Sequence, residues 1–283
     1  MSLGFLGLGI MGTPMALNLC RKFPVIVWSR SDSQYNLLKE AGAIIGETPS
    51  RVVEQCDLIF MMLFDSAAIQ SMIDGDDDFL KAIYGKTLIN MSSVPVDYSH
   101  ELAEHVHKAG GKFIEMPVSG SRLPAEQGQL VGMLAGDRTV IDQIRPFIEP
   151  ITSAAVYCGP IGSGLKAKYA VNLFLVSVTA GLAESMNLAR AQGLDLASFG
   201  EVLNACPLAS AYSKVKIAKI LNGDWSPQAA IKDCYNSTQL IQSAAQEVQV
   251  QTPLIEICRC LYRDACISGW DEEDMIAIYK LFT

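Results

Sequence analysis

The segment GSGLKAKYAVN, residues 162–172, sets two lysines two positions apart at the start of a long apolar stretch, with an asparagine four residues beyond the second. A lysine beside a buried helix is costly unless it is paired or used. An α-helix turns about 100° per residue, so Lys166 and Lys168 point in opposed directions and cannot share a site. Gly164, Lys168 and Asn172 are spaced by four and fall on one face, which offers a gap for a ligand, a cation and an orienting amide. Lys166 projects from the other side as a snorkelling surface lysine.

A second chemical signal lies at the start of the chain. FLGLGIMG carries Gly7, Gly9 and Gly12 in G-x-G-x-x-G spacing, directly after the apolar run 3–7 and ahead of a helical pattern over 12–22. In that context Gly7 makes a tight turn, Gly9 lets a pyrophosphate approach the backbone, and Gly12 lets the helix pack on the strand. The loop Gly7, Leu8, Gly9, Ile10, Met11, Gly12 is thus a candidate phosphate cradle at a helix N-terminus. A site for NAD places an acid at the end of the second strand to bond the ribose 2′-hydroxyl. Here VIVWS, 25–29, ends in Ser29, Arg30 and Ser31. An arginine fork and two hydroxyls receive a 2′-phosphate, so the expected cofactor is NADP(H). The competing reading of Arg30 is a solvent-facing side chain. Asp32 comes one position late and fits better, like Ser31, as a helix cap.

The third signal is MPVSGSRLPAEQG, 116–128. Adjacent amides at Ser119, Gly120 and Ser121, with two hydroxyls, can hold a carboxylate, although the same residues also make an ordinary turn. Arg122 follows, either as a receptor for the far acid of a dicarboxylate or as a solvated loop arginine. No metal spacing emerges. His100, His105 and His107 are the only histidines, and none of the eight cysteines forms a C-x-x-C pair. Free thiols in a reducing cytosol, and hence a cytoplasmic location, are expected.

Elements must position these groups. The 283 residues are 50% apolar and 18% charged, enough for a large core and about two domains. A net charge of −8 without a basic cluster argues against nucleic acid. The start shows no signal-peptide pattern. The uncharged stretch 169–183 is too short for a span, so no membrane role is expected. In the first half, short apolar runs at 3–7, 25–29, 57–64, 86–93, 112–120, 130–136 and 154–159 alternate with helical patterns over 12–22, 31–40, 95–109 and 138–148. This predicts an α/β fold with a doubly wound, mostly parallel sheet. Thr48-Pro49 reads as a helix start, and DGDDD, 74–78, as a solvated loop. Beyond about residue 160 the pattern turns all-helical: one long helix over 163–192, then 195–205, 209–221, 227–247, 253–268 and 271–281. Asp195, Ser226, Thr252 and Asp271 are candidate N-caps. The expected domains are 1–162, binding NADP, and 163–283, helical, for substrate and oligomerisation.

Four motifs in order resemble the β-hydroxyacid dehydrogenase family, across essentially the whole chain. They are FLGLGIMGTPMALNL with Met11, Met15 and Asn18-Leu19, PVSGSRLPAEQGQL, GSGLKAKYAVN and IKDCYNSTQL. The resemblance implies Lys168 as catalytic lysine and Asn172 as the residue that helps hold it and the substrate. It implies Ser119 and Gly120 at the substrate carboxylate, Leu63 and Ser93 beside the nicotinamide, and Lys232 reaching the cofactor. Val171, Ser121 and Ser93 stand where the family often has asparagine, glycine and threonine, as in its glyoxylate/succinic semialdehyde reductase branch. The implied activity is NADPH-dependent reduction of small carboxylated aldehydes by a homo-dimer or homo-tetramer. The alternatives are oxidation of 3-hydroxyisobutyrate or another 3-hydroxyacid and, from a different class, a catalytically silent NADP-binding interaction module. Lys168 counts against an imine reductase, and the short helical half against a 6-phosphogluconate dehydrogenase.

Overall fold

The computed structural model describes residues 2–282, which divide into two compact units that meet between Lys168 and Tyr169. The division falls inside one helix.

The first unit is built on a nine-stranded sheet. Its strands are β1 (Leu3–Leu6), β2 (Val25–Trp28), β3 (Ile44–Ile45), β4 (Leu58–Met61), β5 (Thr87–Asn90), β6 (Lys112–Glu115), β7 (Val118–Ser119), β8 (Leu130–Gly136) and β9 (Thr152–Gly159). Their order is β3-β2-β1-β4-β5-β6-β8-β7, with β9 also beside β8. The first six are parallel throughout, and β8 runs antiparallel to β6 and β7. The winding reverses between β1 and β4, and a crevice for ligands opens at such a switch point. Every residue of β1 and β4 is buried, which explains their unbroken apolar sequences LGFL and LIFM. Phe5, Val27, Phe60 and Ile89 from the sheet form the core together with Met15 and Leu19 of helix α1 (Gly12–Cys20).

The other helices of this unit are α2 (Tyr35–Glu40), α3 (Pro49–Gln55), α4 (Ser66–Asp74), α5 (Phe79–Ala82), α6 (Val96–Lys108), α7 (Arg122–Glu126) and α8 (Arg138–Ile148). Thr48 caps α3 as expected, accepting from the Arg51 amide at 3.2 Å. Neither Ser31 nor Asp32 caps α2. The chain first turns, with the Tyr35 amide on the Asp32 carbonyl at 2.9 Å, and the Tyr35 hydroxyl clasps the backbone of Ser29. Helices α4, α5 and α7 are additions to the expected pattern, and α7 occupies part of what reads as a loop. The acid run is not wholly solvated either: Asp76 accepts from the Ser50 amide at 2.8 Å.

Helix α9 (Ser163–Ala191) begins in the first unit and continues into the second. At 29 residues it is long and apolar enough to cross a bilayer by length and composition, a test that the core helix of a soluble protein also passes. The second unit adds α10 (Leu196–Ala205), α11 (Ala211–Asn222), α12 (Ile231–Glu247), α13 (Pro253–Ile267) and a 3₁₀ segment, Met275–Phe282. Asp195 caps α10 through the Ser198 amide at 2.8 Å. Ser226 and Asp271 lie outside their helices: Ser226 and Asp224 instead enclose the Lys219 ammonium, and the expected last helix is the 3₁₀ segment, four residues later. Thr252 precedes α13 without a side-chain cap bond.

One buried ion pair ties this unit together. Lys216 and Asp274 meet at 2.6 Å, both fully enclosed. The second Asp274 oxygen accepts from the Gln228 amide at 2.9 Å, and the first also from Ile276 at 3.1 Å. Burial pushes the Lys216 ammonium below its ordinary range, against the pull of Asp274.

Candidate functional site

The glycine turn after β1 has the geometry its spacing demands. Gly7 sits at φ +101°, its amide on the Trp28 carbonyl at 2.9 Å, and a Cβ there would lie 2.2 Å from the Met62 carbonyl oxygen. A Cβ on Gly12 would lie 2.0 Å from the Gly7 carbonyl oxygen, so only glycine lets helix and turn approach this closely. Gly9 is the opposite case: a Cβ would meet nothing within 4 Å. Thr13 fastens the turn, donating its hydroxyl to the Leu8 carbonyl at 2.8 Å. No side chain caps α1 and no acid occupies its first turn, so the positive end of the helix faces open space.

That space is a cleft of about 830 Å³ at the carboxyl ends of β1, β2 and β4. Gly7, Leu8, Gly9 and Ile10 line it, with Ser29, Arg30 and Ser31 after β2, Leu63 after β4, and Arg122 on α7. A smaller recess of about 670 Å³ continues past Ser29, Arg30 and Ser31 and also exposes Asp32 and Glu47. Size, open glycine and uncapped helix fit a dinucleotide. Met11, Gly12 and Ser93 do not line the cleft: Met11 stands at the N-cap of α1, Gly12 shapes the turn from behind, and Ser93 follows β5, half-buried. Beside it, Ser92 accepts from the Leu63 amide at 2.9 Å and fixes the chain where it leaves β4. Sequence reasoning passed over Ser92, which carries no motif signal.

The loop expected to hold a carboxylate is shaped by pairing and by one glycine. Ser119 pairs with Val131 across β7 and β8. Gly120 is at φ +132°, and a Cβ would press 2.6 Å from Leu130. Ser121 stands at the N-cap of α7. Asn18 on α1 locks α7 in place, donating to the carbonyls of Ala125 at 2.8 Å and Glu126 at 3.3 Å, while Arg21 secures its oxygen. Arg122 pairs with Glu126 at 3.0 Å.

The start of α9 shows a feature with no sequence signal. Gly162, at φ +91°, donates its amide to Glu115 Oε1 at 2.8 Å, and the Ser99 hydroxyl donates to the same oxygen at 2.6 Å. Glu115 is wholly buried and its Oε2 has no hydrogen-bond partner. Gly164 is not a ligand gap: a Cβ there would lie 2.6 Å from the Met133 carbonyl oxygen, so the glycine serves backbone packing. Helical phase does separate the lysines, with Lys166 exposed and Lys168 half-buried. In the second unit, Asn172 is buried, donates to Ser237 Oγ at 3.0 Å and leaves its Oδ1 without a partner. Lys232, on α12, is held by Glu272, whose hydrogen bond raises the ammonium above its ordinary range.

Thiol chemistry finds no support. None of the eight cysteines forms a disulfide, and burial pushes Cys20, Cys158, Cys258 and Cys266 up and Cys56 to about 11. Among the described residues no group of His, Cys, Asp and Glu gathers as metal ligands.

Residues 2–159 match the model of the NAD-binding domain of 6-phosphogluconate dehydrogenase, and 162–282 that of the NAD-binding domain of NADP-dependent 3-hydroxyisobutyrate dehydrogenase. Glyoxylate/succinic semialdehyde reductase 1 of Arabidopsis thaliana is 31% identical over 99% of this chain and 98% of its own. Cytokine-like nuclear factor N-PAC of Gallus gallus is also 31% identical over 99% of this chain, which spans about half (51%) of that protein's length. Mycobacterium tuberculosis 3-hydroxyisobutyrate dehydrogenase with L-serine superposes with a TM-score of 0.85 at 22% identity, covering 99% of this chain and 98% of that one. Psf3 in complex with NADP+ and 2-OPP gives 0.90 at 24%, covering 99% and 100%. The cleft at the switch point, the two family matches and the full-length relative agree, and the chain belongs to the β-hydroxyacid dehydrogenase family, of the 3-hydroxyisobutyrate dehydrogenase-like type.

Proposed function

We propose that the protein is an NADPH-dependent reductase of small carboxylated aldehydes, of the glyoxylate and succinic semialdehyde class. The observation that carries this reading is that the first unit bears three complementary parts: an uncapped helix start facing a cleft, the Ser119–Ser121 loop, and a half-buried Lys168. When bound, the nicotinamide supplies a hydride to the carbonyl carbon. The amides of the Gly7–Gly12 turn bind the pyrophosphate, and Ser29, Arg30 and Ser31 receive a 2′-phosphate, near the carboxylates of Asp32 and Glu47. Ser119, Gly120 and Ser121 hold the substrate carboxylate and so fix the carbonyl. The Lys168 ammonium stabilises negative charge as it develops on the carbonyl oxygen and donates its proton there, while Asn172 orients it. In the reverse direction the neutral amine accepts that proton.

The test is NADPH oxidation against glyoxylate, succinic semialdehyde, methylmalonate semialdehyde and tartronate semialdehyde, with Lys168→Ala in parallel. General acid–base work is worth about 10²–10⁴-fold, so kcat should fall by that range. Survival of turnover within about tenfold contradicts the assignment. Preference for 3-hydroxyisobutyrate oxidation would select the dehydrogenase reading instead. The N-PAC relatives, 31% identical over 282 residues and named as nuclear factors, favour keeping the catalytically silent module as the second reading. NADPH binding without turnover of any aldehyde in the panel would select it. A homo-dimer or homo-tetramer accords with the apolar side chains left exposed on the helical unit, among them Phe174, Leu188, Val202 and Leu254.

A further inference from the structure

We infer that Arg122 grips the cofactor's pyrophosphate, exchanging its partner Glu126 for the phosphate oxygens, and that it does not read a second carboxylate on the substrate. This deepens the dinucleotide reading of the cleft and rests on it. Arg122 and Glu126 line the cleft together with Gly9 and Ile10 of the glycine turn and Pro14 and Leu17 of α1. Ser119, Gly120 and Ser121, the residues assigned to the substrate carboxylate, do not line it. The guanidinium therefore opens onto the phosphate side of its own loop.

Its position is fixed relative to the phosphate cradle. Asn18 donates to the carbonyls of both Ala125 and Glu126, so α7 is registered on α1, the helix whose uncapped start receives the pyrophosphate. Charge makes the same case. Arg30 and Arg122 are the only basic residues lining the cleft among those described. Arg30 also lines the further recess, which suits the ribose phosphate, leaving the pyrophosphate to the α1 amides and Arg122.

The present partner is easily given up. The Arg122–Glu126 pair is an i,i+4 contact with both side chains about half exposed, 55% and 46%. Such pairs are weak, whereas an arginine fork on phosphate oxygens makes parallel charge-assisted bonds. Glu126 thus stores the guanidinium at the cleft and, as a carboxylate lining the same wall, opposes the phosphate. Arginine and glutamate together set the strength of the grip.

The experiment is equilibrium titration of NADPH and of NADH, without aldehyde, following Trp28 fluorescence at the cleft wall. Arg122→Ala should raise Kd by about tenfold for both nucleotides, since both contain the pyrophosphate. Arg30→Ala should raise it for NADPH alone. Glu126→Gln should lower both by about two- to threefold. KM for succinic semialdehyde at saturating NADPH should stay within about twofold in Arg122→Ala. Unchanged Kd values in Arg122→Ala overturn the inference, as does a selective rise in KM for succinic semialdehyde over glyoxylate. If the wild-type protein binds neither nucleotide, the dinucleotide reading itself falls and takes this inference with it.

Discussion

Two turns in this protein share one design, a strand that passes through glycines into a helix, and end in opposite states. After β1, the turn through Gly7 and Gly9 leads into α1, whose first amides face an open cleft. After β9, the turn through Gly159 and Gly162 leads into α9, whose start is closed by the protein's own carboxylate, Glu115. Both helix ends carry unsatisfied amides and a partial positive charge. One stands open toward the cleft and the other is filled from within. The difference lies outside the glycines. Nothing lies within 4 Å of a Cβ at Gly9, whereas β6 delivers Glu115 to Gly162. An open turn leaves room for a ligand; a plugged one anchors, and what it anchors is the helix that carries Lys168.

The comparison is broken most severely by giving the first turn its own anion. Gly9→Glu has room for its side chain, since a Cβ at this position meets nothing within 4 Å. Its carboxylate would take the phosphate's place, and like-charge juxtaposition costs several kcal/mol. We expect NADPH affinity to fall by at least about a hundredfold with the melting temperature nearly unchanged, read by titration and calorimetry. Next in size is unplugging the second turn. Glu115→Ala strands the Gly162 amide and the Ser99 hydroxyl in the interior, at about 1–3 kcal/mol each. Thermal unfolding should shift down by several degrees and kcat should fall more than nucleotide affinity. Glu115→Gln, which keeps an acceptor oxygen, should recover most of both.

The smallest effect concerns the exposed anionic caps. Asp137 accepts from the Val140 amide at 3.2 Å and the Thr139 amide at 2.7 Å, and Asp195 from the Ser198 amide at 2.8 Å. These amide bonds hold both carboxyls below their usual range. Folding therefore favours the ionised form. The stability they add is present above the unfolded carboxylate value of about 4 and is lost as pH falls through their lower folded values. Asp195→Asn should flatten the acid side of the melting-temperature profile slightly, at a helix start where water already competes.

What the sequence discloses follows the range over which the physics acts. The glycine turn, the Thr48 and Asp195 caps and the opposed phase of Lys166 and Lys168 depend on neighbours within one or two helical turns, and each appears as read. Glu115 and Asn18 act on residues 47 and 107 positions away. KFIE reads only as a strand, and nothing in it names Gly162 as partner. Gly164 failed for the same reason: its spacing suggested a ligand gap, but the Met133 carbonyl, supplied by β8, fills that space. Ser31 and Asp32 were plausible caps by type, yet the Tyr35 hydroxyl on Ser29 delays the helix.

The Lys216–Asp274 pair has a consequence for how this chain can vary over generations. With both charges enclosed at 2.6 Å, loss of either one alone leaves the other buried without a counterion, at a cost of about 3–5 kcal/mol. An apolar pair of similar volume would suffer no such penalty, but every single-step route to it crosses an intermediate that carries one stranded charge. Lineages of this protein are therefore expected to keep both residues or to replace them in one event. The two positions should behave as a single inherited character although 58 residues separate them.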